Sequence, residues 1–156
     1  MQMRDFVVRF AGEGGQGVVT SAEGLAQSST RVGYHALTFA TFPSQILGGP
    51  TWTQARISVE PILAPGDDVN VLVAFNKDAY DTHINDVRED GVVIFDSTEF
   101  QLEDDGRSFG LPFEDLAKST GNNRAANMVI MGGLAHLINM PQEHLISFVE
   151  ERFNRG

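Results

Sequence analysis

The run Phe6 to Val18, FVVRFAGEGGQGV, limits this chain more than any other stretch. Phe6, Val7, Val8 and Phe10, interrupted only by Arg9, read as a short buried strand. The sequence Gly12-Glu13-Gly14-Gly15-Gln16-Gly17 then turns the chain into a helically periodic segment. Gly12, Gly14 and Gly17 fit a G-x-G-x-x-G spacing. Missing β-carbons there allow a tight turn and bring backbone N–H groups close to an anion at a helix N-terminus. The implied ligand carries phosphate. A glycine-rich strand-to-helix turn that only packs the helix on the strand is the structural alternative.

Val18, Val19, Ala22, Leu25, Ala26 and Ser29 follow at helical spacing, and Gly33 stops that helix. Tyr34 to Phe39 reads as a second strand, so the opening third of the chain is expected to form a compact βαβ unit. A nicotinamide-binding unit of this kind needs a carboxylate at the end of its second strand to hold the ribose. The residues here are Phe39-Ala40-Thr41-Phe42-Pro43-Ser44-Gln45, without an acid. That argues against NAD.

After a turn at Ile46-Leu47-Gly48-Gly49-Pro50, Thr51 to Val59 alternates Thr53, Ala55, Ile57 and Val59 with Trp52, Gln54, Arg56 and Ser58. This predicts a strand near a sheet edge, antiparallel in sense, with one buried and one wet face. Trp52, on the polar register, is either a rim aromatic or part of an interface. Val69 to Phe75 is the most strand-like run and ends in Asn76, a cap for a helix expected over Lys77 to Val87. Asn76 is also a polar group at the carboxyl edge of the sheet. Val92 to Phe95 is another buried strand, and the acidic stretch from Glu99 to Arg107 is a solvated loop.

Ser108 to Phe113 holds a short strand and Glu114 to Lys118 a short helix. Ser119-Thr120-Gly121-Asn122-Asn123-Arg124 forms a second polar turn. Ala125 to Ile138 is apolar nearly all round, which predicts burial on several sides, and Gly132-Gly133 within it implies a close helix contact. Pro141 suits the start of a last helix with Leu145, Phe148, Val149 and Phe153 inward. The alternation of elements predicts an α/β fold: a Rossmann-like, doubly wound, mainly parallel sheet with helices on both faces.

At 156 residues the chain is expected to be one domain, spanning 1–156. A formal charge of −10 disfavours wrapping of nucleic acid, which needs Lys and Arg in excess. No apolar run approaches the roughly 20 residues of a membrane span. The sequence contains no Cys, hence no thiolate site for a metal or iron–sulfur cluster, and His35, His83, His136 and His144 lack a paired ligand spacing. The N-terminus has no signal-like pattern, and a cytoplasmic setting is expected.

Taken together, Gly12 to Val18 after the first strand, Gly48-Gly49 before the Trp52 to Val59 strand, Asn76 after Val69 to Phe75, and Gly121-Asn122-Asn123-Arg124 with Asn127-Met128 resemble the gamma domain of 2-oxoacid:ferredoxin oxidoreductases. The resemblance covers nearly the whole chain. It implies a role in oxidative decarboxylation of a 2-oxoacid on thiamine diphosphate, with electrons passed through iron–sulfur clusters to ferredoxin and the acyl group to coenzyme A. In that family thiamine diphosphate, Mg²⁺ and [4Fe–4S] clusters are bound by other parts, the thiamine-binding alpha and beta regions, and the gamma domain helps hold coenzyme A. The resemblance carries that role to Gly12, Gly14, Gly15, Gln16 and Gly17, to Ser44 and Gln45, to Asn76, and to Asn122, Asn123 and Arg124. No catalytic residue and no metal ligand are expected in this chain.

Thr41 to Gln45 lacks the Tyr-Gly-Pro-Glu character of some stand-alone gamma subunits and looks more like versions fused ahead of the alpha region in 2-oxoglutarate-type enzymes. The chain's last residues, just past a helix, are consistent with a domain cut from such a longer chain. Two other readings stay open: a non-catalytic assembly domain in which the glycines only pack, and a nucleotide-binding dehydrogenase module.

Overall fold

The computed structural model describes residues 4–44, 48–122 and 125–153. The expected site residues Gln45, Asn123 and Arg124 lie outside them. The described residues form a sheet from β1 (Asp5–Glu13), β2 (His35–Thr41), β3 (Pro50–Ser58), β4 (Val69–Ala74), β5 (Val87–Asp96) and β6 (Ser108–Leu111). The helices are α1 (Val18–Arg31), α2 (Lys77–His83), α3 (Phe113–Ser119), α4 (Ala126–Leu137) and α5 (Gln142–Phe153).

The strand order is β2-β3-β1-β4-β5-β6. β1, β4, β5 and β6 pair in parallel, whereas β3 is antiparallel to both β1 and β2. The α/β, mainly parallel expectation therefore holds. The compact opening βαβ unit does not, because β3 is inserted between β1 and β2. A hydrogen-bonded strand spacing is about 4.8 Å, so β2 ends about 10 Å from β1, beyond the reach that an adjacent second strand would have.

Strand alternation sorts β1 between two cores. Phe6, Val8 and Phe10 join Val18, Ala22 and Leu25 of α1, Ile130, Met131 and Leu134 of α4, and Phe148 of α5. Val7 and Ala11 point to the other face, with Leu72, Ala74, Ala79 of α2, Val93 and Phe95. Both faces carry helices, but unevenly: α1, α4 and α5 cover the first, while α2 and the side chains of Phe100 and Leu102 cover part of the second.

Three local expectations need correction. The segment expected to be helical through Val87 ends at His83, passes through one 3₁₀ turn (Ile84–Asp86), and becomes β5, whose Val87 pairs with Val69. Sheet pairing of the apolar Val87 outweighs one more helical turn. The expected wet face of β3 is only partly wet: Trp52 and Arg56 are half-exposed, but Gln54 and Ser58, on the same register, are buried beside Thr53, Ala55 and Ile57. It lies one strand in from the edge, between β2 and β1, and its buried Gln54 and Ser58 are hydrogen-bonded instead of hydrated.

The third correction concerns Gly132-Gly133. A β-carbon on Gly132 would meet nothing within 4 Å and one on Gly133 only Leu111 at 3.4 Å, so neither marks a close helix crossing. The tight crossing is elsewhere. A β-carbon on Gly24 of α1 would stand 2.6 Å from the Phe148 ring of α5, which is how α5 closes on α1. α4 is enclosed as expected on most sides, exposing His136 and Leu137.

Candidate functional site

The site is built at the carboxyl end of β1. Gly12 pairs with Thr51 and Glu13 with Pro50, so the start of β3 lies against the glycine turn, and Gly14 N–H donates to Gly49 O at 3.2 Å. The Gly48-Gly49 pair is therefore the lid of the first turn. Gln16 is folded inward: its Oε1 accepts from Glu13 N–H at 2.7 Å and from Asn76 Nδ2 at 3.5 Å, and its own N–H donates to Glu13 O. A β-carbon on Gly12 would stand 2.5 Å from that oxygen, so the absence of a side chain at Gly12 is what lets Gln16 brace the loop.

What remains is a row of free donors. Gly17 caps α1 in the left-handed conformation, φ 83°, without a side-chain capping bond. The first bond of α1 runs from Ser21 N–H to Gly17 O, so the N–H groups of Val18, Val19 and Thr20 precede it. These, with Gly15 and Gly17, make no backbone hydrogen bond among the described residues. No acid occupies the first turn of α1. The donors sit at the positive end of a helix dipole and line, with Phe42, a cleft of about 330 Å³.

Asn127 of α4 packs against this turn. A β-carbon on Gly17 would lie 2.5 Å from its Nδ2, and its side chain is buried. Asn127 is thus how the second polar motif reaches the first, a role not assigned to it on sequence grounds. Asn122 is exposed, its N–H donating to Ala117 O at 3.4 Å and its carbonyl accepting from Ala125 N–H. Ser44 is exposed as well.

A second cleft, of about 460 Å³, opens on the α2 side of the same ridge. Gly12, Glu13, Gly49 and Thr51 form one wall; Asn76, Asp78, Asp81, Thr82 and His83 form the other. Asn76 performs the expected capping, its Oδ1 accepting from Ala79 N–H at 2.8 Å, and its amide nitrogen reaches back to Gln16. It therefore ties α2 to the glycine turn.

Behind this second cleft lies a buried polar cluster. Arg9 donates from Nε and Nη2 to Gln54 Oε1 at 3.1 and 2.8 Å, from Nη1 to His83 Nδ1 at 3.2 Å, and from Nη1 to Asp86. Its guanidinium carbon lies 4.4 Å from the Trp52 ring centroid, and Trp52 also meets the edge of His83 and the ring of Phe39. Gln54 in turn donates to Pro65 O and Gly66 O. Burial, and secondarily the Arg9 charge, hold the His83 imidazole below its ordinary pKa, with Asp86 opposing. The only sequence signal for this cluster was Arg9 itself, a charge inside an apolar run.

An α/β domain with a row of backbone donors at a helix head on the carboxyl edge of its sheet is what these elements define. Residues 7–156 match the family model described as pyruvate ferredoxin/flavodoxin oxidoreductase, and the chain belongs to that family as a gamma-type domain. It is 35% identical over 134 residues to ketoisovalerate oxidoreductase subunit VorA of Methanothermobacter marburgensis, covering 84% of this chain and 28% of VorA. It is 26% identical over 155 residues to 2-oxoglutarate synthase subunit KorC of Archaeoglobus fulgidus, covering 98% of this chain and 81% of KorC. The 2-oxoglutarate:ferredoxin oxidoreductase of Magnetococcus marinus, solved with 2-oxoglutarate, coenzyme A and succinyl-CoA bound, superimposes with a TM-score of 0.89. The identity is 30%, over 99% of this chain and 28% of that one. The chain thus spans little more than a quarter of VorA and of the Magnetococcus chain.

Proposed function

We propose that this domain holds the phosphate-bearing end of coenzyme A at the head of α1 and helps present its thiol to an acyl group generated by the thiamine-binding alpha and beta parts of a 2-oxoacid:ferredoxin oxidoreductase. The observation that carries this is the donor row at Gly15, Gly17, Val18, Val19 and Thr20, without backbone partners among the described residues. Any helix head leaves its first N–H groups without intrahelical partners; here no side chain caps them, no acid stands in the first turn, and Gly15 and Gly17 add two further donors, a set that suits a multiply charged phosphate. The Magnetococcus relative, solved with coenzyme A and succinyl-CoA bound, supports the choice of ligand and of 2-oxoglutarate as the 2-oxoacid.

The roles of the expected residues divide. Gly15 and Gly17 offer backbone donors, whereas Gly12, Gly14, Gln16 and Asn76 build the turn that aims them. Ser44 and Asn122, on exposed flanking turns, are read as outer contacts, with Gln45, Asn123 and Arg124 assigned to the same rim. Thiamine diphosphate, Mg²⁺ and the [4Fe–4S] cluster belong to the other parts of the enzyme in this reading, and ferredoxin is reached through them. The Cys-free sequence supplies no thiolate for a cluster. This chain's contribution is positioning, which by itself is worth several kcal/mol when two reactants are held in line. We read the 156 residues as one domain of a longer fused, cytoplasmic protein. No helix of the described residues is long and apolar enough to cross a membrane.

The dehydrogenase reading loses further ground, since β3 separates the end of β2 from the glycine turn. Titration of the chain with coenzyme A, followed by amide ¹H–¹⁵N spectra, tests the proposal. The amides of Gly15, Gly17, Val18, Val19 and Thr20 are expected to shift saturably. Unmoved amides at saturating coenzyme A, with NADH moving them instead, would restore the dehydrogenase reading.

A further inference from the structure

The α2-side cleft carries one side chain whose ring is held by its neighbours on one side. His83 is only 8% exposed, lines the cleft, and its Nε2 has no hydrogen-bond partner among the described residues. Its other ring nitrogen faces Arg9 Nη1 at 3.2 Å. A guanidinium has no acceptor and does not deprotonate, so in this contact Nδ1 presents its lone pair, Asp86 Oδ2 lying farther off at 3.6 Å, and the neutral ring then carries its proton on Nε2. His83 is therefore an oriented donor at a cleft wall. Arg9 fixes the tautomer, and Gln54 and Asp86 hold Arg9.

We propose that this cleft is a binding subsite for the uncharged, amide-bearing arm of the same coenzyme, and that His83 Nε2–H donates to an amide carbonyl of that arm. Its placement rests on the reading above, because the two clefts share Glu13 and Thr51 and one extended ligand can cross that ridge. The charge of the walls decides which end goes where. Glu13 stands on the ridge between both clefts, whereas Asp78 and Asp81 line the α2-side cleft alone, and their carboxylates disfavour phosphate there while leaving a neutral amide unaffected. The α1-side cleft has the opposite character, with five backbone donors at its helix head. Phosphates belong on one side of the ridge and the neutral arm on the other.

The test uses the full 156-residue chain with ¹⁵N-labelled histidine and backbone, and three probes: pantetheine, which lacks phosphate, inorganic phosphate, and coenzyme A. The His83 signals, assigned by their loss in His83→Gln, are expected to show a pyridine-like Nδ1 and a pyrrole-like Nε2. Pantetheine should shift the Nε2 proton and leave Gly15 to Thr20 unmoved; phosphate should do the reverse; coenzyme A should do both. His83→Phe should weaken pantetheine binding about five-fold, the worth of one neutral hydrogen bond, and His83→Gln, which keeps a donor, should recover most of it. Phosphate shifts retained in both variants report that the turn is folded. Pantetheine or coenzyme A binding that leaves the His83 Nε2 signal in place would overturn this subsite while the phosphate role stands. A shift at His83 with no response at Gly15 to Thr20 would sink the phosphate role and keep the subsite. No response at either place would overturn both.

Discussion

The two sides of the Glu13–Gly49 ridge are built from different materials. The α1 side is made of backbone: its donors are main-chain N–H groups, and side chains serve only to shape the turn. The α2 side is made of side chains, Asn76, His83 and the Arg9 cluster behind them, crossing from β1 and β3 to the end of α2. A backbone site depends on conformation and tolerates most substitutions of neighbouring side chains. A side-chain site fails when one partner is removed, because the others are left buried and unpaired.

Removing Arg9 should give the largest effect. Arg9→Met keeps the length of the side chain but leaves Gln54, His83 and Asp86 without their common donor, and a loss of about 3 kcal/mol of stability is expected from urea unfolding. Phosphate shifts at Gly15 to Thr20 should survive in the folded fraction. If they vanish together with the stability, the two sides are one cooperative unit and the contrast between them fails.

Gly17→Ala attacks the other side. The residue must hold φ 83° and its new β-carbon would meet Asn127, so a cost of about 2 kcal/mol is expected, together with loss of most coenzyme A affinity. Adding Asn127→Ala helps separate the two causes: it removes the amide at 2.5 Å but keeps Cβ at 2.9 Å, so it should relieve part of the collision and leave the backbone strain. Full recovery in the double variant would show that the left-handed conformation carries none of the cost.

Asn76→Ala should cost about 1 kcal/mol, the usual worth of a helix cap, measured again by urea unfolding. Since Asn76 also touches Gln16, a small broadening of the Gly15 and Gln16 amides is expected, which would reveal how far the ridge transmits a change on one side to the other.

The smallest expected effect is on pH dependence. The folded His83 has a pKa below the ordinary 6.5, so the unfolded chain takes up the proton first. Stability from this residue is fully present well above pH 6.5 and is lost as pH falls through 6.5 toward the folded value. The charged groups facing the ring are Arg9 from β1, which enlarges the effect, and Asp86 after α2, which reduces it. Unfolding midpoints measured from pH 8 to pH 5 should show a decline that His83→Gln removes. An unchanged slope in that variant would assign the decline to carboxylates elsewhere.

The sequence alone determined the features that depend on near neighbours. The strand from Phe6, the glycine turn, the start of α1, the cap at Asn76 and the apolar length of α4 follow from spacing, missing β-carbons and local hydrogen bonding, and all are present. So does the α/β class, which the order of elements implies. Tertiary structure decided what depends on register between distant segments. Whether Gln54 is wet or buried depends on the strand laid across from it, and Arg9 opposite Gln54 is a pairing 45 positions apart. The insertion of β3 between β1 and β2, the end of α2 at His83, and the crossing of Gly24 with Phe148 are of the same kind. His83 shows the limit most clearly: no local pattern marks it, because its Nδ1 meets an arginine 74 residues away that only the folded sheet brings within reach.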